Sequence, residues 1–386
     1  MGRRNPNIIL IVIDALRAHN VTCYGYDKPT TPNICRIAER GVLFENAFST
    51  TNATDPSLTS ILSGFHPCTH GVVSHGELVD AAMVRLAQQV VYISQLLKRI
   101  GYRTLAIDWL GRWHRKGFDY YSGFLVKRSK LFLRIRSLLG LSSPLMIDDA
   151  KTILDVAISL LRDRVYQPKF MFIHFWNTHA PYFAPREYIE RFSKYEYGTD
   201  LTIEDLMNKF ASKKARKYIK ARTFNTRNID EVLRRYDASI AYTDEQIGKL
   251  MEFLETEGLI DNTYIIITSD HGESLLEHEI FFDHHGLYDV SIRVPLIITG
   301  PEIPSGLRVN HLVQHVDIVP TILEILGANI NKGIFDGISL LKLLRSDREH
   351  EWRSFIVAVE GYAEKKVAIR TRYFKYIYSE PAYALC

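Results

Sequence analysis

The sequence predicts a doubly wound α/β domain with a small antiparallel sheet at its C-terminal end. Three observations lead there: five near-continuous apolar runs of strand length, amphipathic helical segments between them, and a tail that alternates with a different period. The first run, NIILIVID (7–14), is apolar along almost its whole length, as strands covered on both faces are. Two arginines before it mimic a signal peptide, but Asp14 ends the run early without a small-residue cleavage site, so it reads as a buried first strand. YRTLAID (102–108), KFMFIHFW (169–176), TYIIITSD (263–270) and RVPLIITG (293–300) repeat the pattern, and residues 84–100, 148–164 and 231–257 carry helical periodicity. TTNATDPSLTSILSG (50–64) opens a small-residue helix at an Asp-Pro turn, with Thr54 at its start. Residues 186–228 are polar and helix-like, which predicts an insertion that could form a lid. The tail, FIVAVEG followed by KKVAIRTRYFKYIYS, predicts the antiparallel sheet. The domain reading is therefore 1–345 for the main unit and 346–386 for a C-terminal subdomain. The basic amphipathic stretch KRSKLFLRIRSLLGL (127–141) is expected to pack on its own protein rather than on an anionic membrane.

A chain of 386 residues, 46% apolar and 24% charged, can bury a large core. Its formal net charge of +4 is too small to imply general nucleic-acid binding, though local basic patches suit an anionic substrate. Four cysteines (23, 35, 68 and 386) with no CxxC pair predict no disulfide framework and a reducing compartment, most simply the cytoplasm. No run reaches the ~18 apolar residues of a membrane span, so no integral membrane segment is expected. Assembly into a homo-oligomer stays open.

Ligands in doubly wound sheets gather at the carboxyl ends of the strands, and three runs end there in polar residues. These are Asp14, then Asn177-Thr178-His179 after Trp176, and Asp270-His271. A helix N-terminus offers unpaired N–H groups and partial positive charge, so the Thr54 hydroxyl sits where an anionic group would be stabilised. Two carboxylates, an imidazole and a hydroxyl suit one divalent cation that lowers the hydroxyl pKa.

The order of landmarks resembles the sulfatase family of the alkaline phosphatase superfamily over nearly the whole chain. NIILIVIDALRAHNVTCYGYDKPTTPNICRIAERGVLFENAFS, DPSLTSILSGFHP, GRWHRKGFDYYSGF, FWNTHAPY, DNTYIIITSDHGE, LYDVSIRVPLIITGP, VDIVPTILEILG and DGISLL follow one another as they do in that family. The resemblance implies an alkaline phosphatase-like mixed sheet sandwiched by helices, a metal-bound nucleophile and ester hydrolysis at sulfur or phosphorus. It carries metal-ligand roles to Asp14, Thr54, Asp270 and His271, and the nucleophile role to Thr54. The sulfatase signature Cys/Ser-Xaa-Pro-Xaa-Arg, whose first residue becomes formylglycine, reads Thr54-Asp55-Pro56-Ser57-Leu58, and a frequent second metal aspartate is Ala15. Threonine is similar to the nucleophile of phospho-transferring relatives, and no Asp-Xaa-Xaa-Xaa-His pair accompanies His179, which implies one metal (manganese, zinc or calcium) rather than two.

By the same resemblance Arg112, His114 and Asn177 are substrate-binding candidates, His179 is the candidate acid, and His284 or His285 stands where sulfatases carry an anion-binding lysine. The expected reaction is phosphoester hydrolysis, of a diester or a phosphonate monoester, through a Thr54 intermediate. Its rivals are sulfuric ester hydrolysis and transfer of a phospho-alcohol group to a glycan or lipid. The expected partner is a small anionic ester.

Overall fold

In the computed structural model the described residues are 5–122, 149–163, 165, 168–210, 212–224, 226–328, 333–345, 352–361 and 364–380. The stretch 127–141 lies outside them. Among the described residues eight strands form the main sheet in the order β4-β3-β5-β1-β6-β7-β2-β8. They are β1 (Asn7–Ile13), β2 (Gly41–Phe48), β3 (Arg103–Ile107), β4 (Tyr120–Ser122), β5 (Lys169–Phe175), β6 (Thr263–Thr268), β7 (Leu296–Thr299) and β8 (Leu307–Gln314). β7 runs antiparallel to both β6 and β2, while every other pairing is parallel, so the sheet is mixed. A second sheet, β11-β10-β9, joins β9 (Phe355–Glu360), β10 (Lys365–Thr371) and β11 (Lys375–Glu380) in antiparallel order.

β1 explains the layering. Side chains alternate across a sheet, so Ile9, Ile11 and Ile13 enter the core beneath the long helix Ile229–Thr256, whereas Ile8, Leu10 and Val12 face the core that includes Leu58, Ile61 and Leu62 of the helix Thr54–Ser63. Both faces are buried, as the unbroken apolar run requires. The helix expected over 84–100 is two helices, Ala81–Gln89 and Ile93–Arg99. Gln95 Oε1 accepts the Tyr92 N–H and caps the second one afresh, which separates them.

The polar segment after residue 186 forms three short helices, Arg186–Arg191, Ile203–Asn208 and Lys213–Arg222. Tyr188, Phe192, Ile203, Leu206 and Ile219 are buried in the same core as the long helix, so this segment is built into the body rather than laid over it. Cys68 is disulfide-bonded, which corrects the expectation of no bridge and withdraws the cysteines' support for a reducing compartment. Among the described residues no helix is long and apolar enough to cross a membrane.

Candidate active site

β1 lies between β5 and β6, with Val12 opposite both His174 and Thr268. Residues opposite one another share a face, and so do residues two apart on one strand. Asp14, His174 and Asp270 therefore project to the face that the helix Thr54–Ser63 covers. All three are fully buried and bring ligand atoms within 4.8 Å of one another. Both Asp14 carboxylate oxygens, Asp270 Oδ2 and His174 Nε2 have no hydrogen-bond partner. Buried acceptors without donors are costly unless a cation meets them. The residues therefore fit a divalent ion.

Backbone geometry sets these side chains. Ala15 takes φ 52° and aims its N–H at Asp270 Oδ1, 3.0 Å away, while the His271 N–H reaches the same oxygen at 2.8 Å. Where a second aspartate was expected, a main-chain donor thus turns Asp270 so that its other oxygen is free. The Tyr236 hydroxyl donates to the Ala15 carbonyl at 2.7 Å and steadies the turn. Burial, then the charges of Asp270 and Glu273, hold the Asp14 carboxyl well above its ordinary range. Burial also works to raise Asp270, but His271, His174 and the two N–H donors bring it below the usual carboxylate value.

Thr54 is the first residue of its helix, 2% exposed, with its hydroxyl 3.2 Å from His271 Nε2. His271 Nδ1 lies 2.7 Å from the Gly272 carbonyl, an acceptor, so Nδ1 carries the proton and Nε2 is a lone pair. Burial lowers the His271 pKa and favours this neutral form. Nε2 also stands 3.4 Å from Asp270 Oδ2. His271 lies beside Asp270 but outside the three-residue grouping of carboxylates and imidazole, which contains His174 instead, and Thr54 joins the site through its contact with His271.

The remaining expected residues divide. The His284 ring packs, tilted by 35°, 4.4 Å from that of His271, centroid to centroid, and so faces the site. His285 turns aside, with Nε2 3.2 Å from Asp283 and Nδ1 3.8 Å from Glu360. Burial and then His271 push the His284 pKa well down; burial also works to lower His285, but Asp283 lifts it above its ordinary value. His179 donates Nδ1–H to the Ala180 carbonyl (2.7 Å), and burial, then Arg222, lower its pKa to about 3. In that form it accepts a proton rather than giving one.

Arg112 points its guanidinium at Asp55 Oδ2 (2.9 Å) and the Gly76 carbonyl (3.0 Å), and His75 Nδ1 meets the same Asp55 oxygen at 2.8 Å. The buried His114 has Nε2 3.3 Å from both the Asp55 carbonyl and the Thr59 hydroxyl. These two residues brace the first turn of the Thr54 helix. Asn177 spends its amide on the Phe183 carbonyl (3.3 Å).

Sequence reasoning missed His174, Asp108, Glu273 and Arg222. The signal for His174 was present, because an imidazole inside a strand buried on both faces must find a partner. Its partner is Asp108, at the end of another run, 2.9 Å from Nδ1. Arg222 carried no signal. It lies in a polar helix, yet its guanidinium is buried against Glu273 (3.4 Å) and Asp283 (3.9 Å). Glu273 also accepts the Tyr182 hydroxyl at 2.6 Å, and burial pushes its pKa up to about 7.

The sequence profile of the Sulfatase family matches residues 6–328. The chain belongs to the sulfatase family. A second profile, described as N-sulphoglucosamine sulphohydrolase, C-terminal, matches residues 277–380. A human N-acetylglucosamine-6-sulfatase is 28% identical over 92% of this chain and 67% of its own length. A Bacteroides thetaiotaomicron N-acetylglucosamine-6-O-sulfatase is 26% identical over 97% of this chain and 78% of its own. This member spans about two thirds of the length of the mammalian sulfatases it matches. Among solved structures, the phosphonate monoester hydrolase of Agrobacterium radiobacter shares the fold with a TM-score of 0.75 at 20% identity, over 97% of this chain and 87% of that one.

Proposed function

We propose that this sulfatase-family chain is a metal-dependent hydrolase of small sulfate esters that uses the unmodified Thr54 hydroxyl as nucleophile. The observation that carries the reading is the Thr54 hydroxyl at a helix N-terminus, 3.2 Å from His271 Nε2, which itself stands 3.4 Å from the buried Asp270 carboxylate. The family's curated relatives, sulfatases of amino sugars among them, support sulfur as the centre attacked. Asp14 and Asp270 would hold the divalent ion, which supplies charge neutralisation and a lowered hydroxyl pKa when bound.

The chain's own residues then carry the protons. Thr54 Oγ1 gives its proton to His271 Nε2 and forms a bond to sulfur as the bond from sulfur to the ester oxygen breaks. His179 must first take a proton at Nε2, drawn there by the anionic substrate, and passes it to the departing alcohol. Water next attacks the threonine sulfate ester, giving a proton to His179. Sulfate leaves, and Thr54 recovers its proton from His271. The backbone N–H groups of the helix start and the buried Arg222 favour negative charge throughout.

A second reading, hydrolysis of a phosphodiester or phosphonate monoester by the same residues, is favoured by one observation. Thr54 and Leu58 replace the convertible residue and the arginine of the sulfatase signature. Turnover of 4-nitrophenyl sulfate, glucosamine 6-sulfate, a 4-nitrophenyl phosphodiester and a phosphonate monoester by the metal-loaded protein separates the two. Faster sulfate turnover, lost in Thr54→Ala, is the expected result; phosphorus turnover in its place would reverse the order, and undiminished activity in Thr54→Ala would remove the mechanism.

A further inference from the structure

We propose that His174, oriented by Asp108, is an imidazole ligand of the ion held between Asp14 and Asp270, and that the site therefore selects a zinc-class transition metal over calcium. The inference rests on the one-ion reading above and adds which ion the residues choose.

Three features of the strand β5 histidine converge. His174 Nδ1 lies 2.9 Å from Asp108 Oδ1. Asp108 also accepts the Tyr121 hydroxyl through its other oxygen, so it acts as an acceptor and the proton of His174 sits on Nδ1. Nε2 is then the ring nitrogen left to offer a lone pair to an ion. It points to Asp14, 3.8 Å from Oδ2, and has no hydrogen-bond partner.

The pocket around it consists of acceptors. The atoms without a hydrogen-bond partner are two oxygens of Asp14, one of Asp270 and the His174 nitrogen, in three fully buried residues. Crowding such atoms together without a donor is unfavourable in a dry interior unless a cation joins them. The ring cannot turn away, because Trp176 packs 4.6 Å from it and Phe172 stacks at 6.1 Å, between centroids. A carboxylate-held histidine with its far nitrogen free is the arrangement that fixes a metal-binding tautomer and raises ligand basicity.

Donor type decides the ion. Calcium takes six to eight oxygens, whereas imidazole suits zinc and iron and a small number of ligands. Two carboxylates and one imidazole, with His271 and Thr54 adjacent, match the second set.

The test reads metal binding without substrate. Full-length protein is stripped with a chelator and titrated calorimetrically with zinc and with calcium, and its cobalt(II)-loaded form is examined for ligand-field absorption bands. Wild type is expected to bind zinc more tightly than calcium and to give the intense bands of low coordination number with nitrogen in the shell. His174→Gln is expected to weaken zinc about 10- to 100-fold and to alter the cobalt bands, with calcium binding unchanged. Asp108→Asn, which leaves the imidazole in place, keeps the test available should the first variant fold poorly; it should weaken zinc by a similar factor. Tighter calcium than zinc binding in wild type would overturn the proposal, as would zinc affinity and cobalt bands untouched in both variants. A protein that binds zinc through His174 yet hydrolyses no ester would overturn the proposed reaction and leave this inference standing.

Discussion

Replacing Arg222 by methionine isolates the electrostatic cost of the charged cluster beside the site. The guanidinium is buried against Glu273 at 3.4 Å and Asp283 at 3.9 Å, and it donates to the Tyr218 hydroxyl at 2.9 Å and to the Phe282 carbonyl. Removing one partner from a buried ion pair costs about 3–5 kcal/mol, because the other charge is left uncompensated. Asp283 keeps His285 and the Tyr218 hydroxyl, whereas the remaining side-chain donor of Glu273 is Tyr182.

Glu273 makes that cost depend on pH. Its folded pKa, about 7, stands above the ordinary 4.5, chiefly through burial. The folded form therefore binds more protons than the unfolded one between these values, so wild-type stability falls as pH rises from 4.5 to 7 and this contribution is level above 7. Without Arg222 the pKa rises further and the fall continues past 7, at about 1.4 kcal/mol per pH unit. The destabilisation measured by urea unfolding, with chelator in both samples, should be about 1 kcal/mol larger at pH 8 than at pH 6. An equal loss at both pH values would refute the claim that Arg222 holds Glu273 in check.

Three further outcomes can be measured on the same footing. Gly272→Ala would set a Cβ 2.0 Å from the Val290 carbonyl, a backbone atom that cannot step aside cheaply. The variant should lose about 1–3 kcal/mol in urea and, because the Gly272 carbonyl holds His271 Nδ1, a large share of turnover. Asp244 accepts the Asn33 and Ile34 N–H groups (3.0 and 2.8 Å) at the start of the helix Pro32–Glu39, so Asp244→Asn orphans one donor at a cost of about 1–3 kcal/mol. Burial raises its folded pKa to about 6, so wild-type stability falls as pH rises from 4 to 6 and the gap to the variant, followed by urea unfolding, narrows over that window. Thr54→Ala should lower turnover by roughly 10⁴-fold or more while the chelator-stripped protein still binds metal through Asp14, His174 and Asp270.

The strands were legible wherever both faces are covered. The runs at 7–14, 102–108, 169–176 and 263–270 are β1, β3, β5 and β6, because an unbroken apolar run has few other stable places. β2 and β8 passed unseen, since GVLFENAF and LRVNHLVQ mix polar residues into strands near the sheet edge. The site divides on the same principle. Asp14, Asp270, His271 and Thr54 stand at element ends, where a polar residue interrupts a pattern. His174 and Asp108 needed the register of β5 against β1 and β3, which no local window contains. Arg112 and His114 had the right motif, but the closing loop spends them on Asp55 and the first turn of the Thr54 helix. Arg222 became part of the cluster only because a polar helix packs its last turn inward.

The most direct test of the central claim is mass spectrometry of the metal-loaded protein, intact and digested, quenched during turnover of a slow aryl sulfate. Residue 54 should be recovered as plain threonine before reaction and as its sulfate ester during it, with no adduct in Thr54→Ala. An aldehyde at that position, or an adduct on any other residue, would contradict the account.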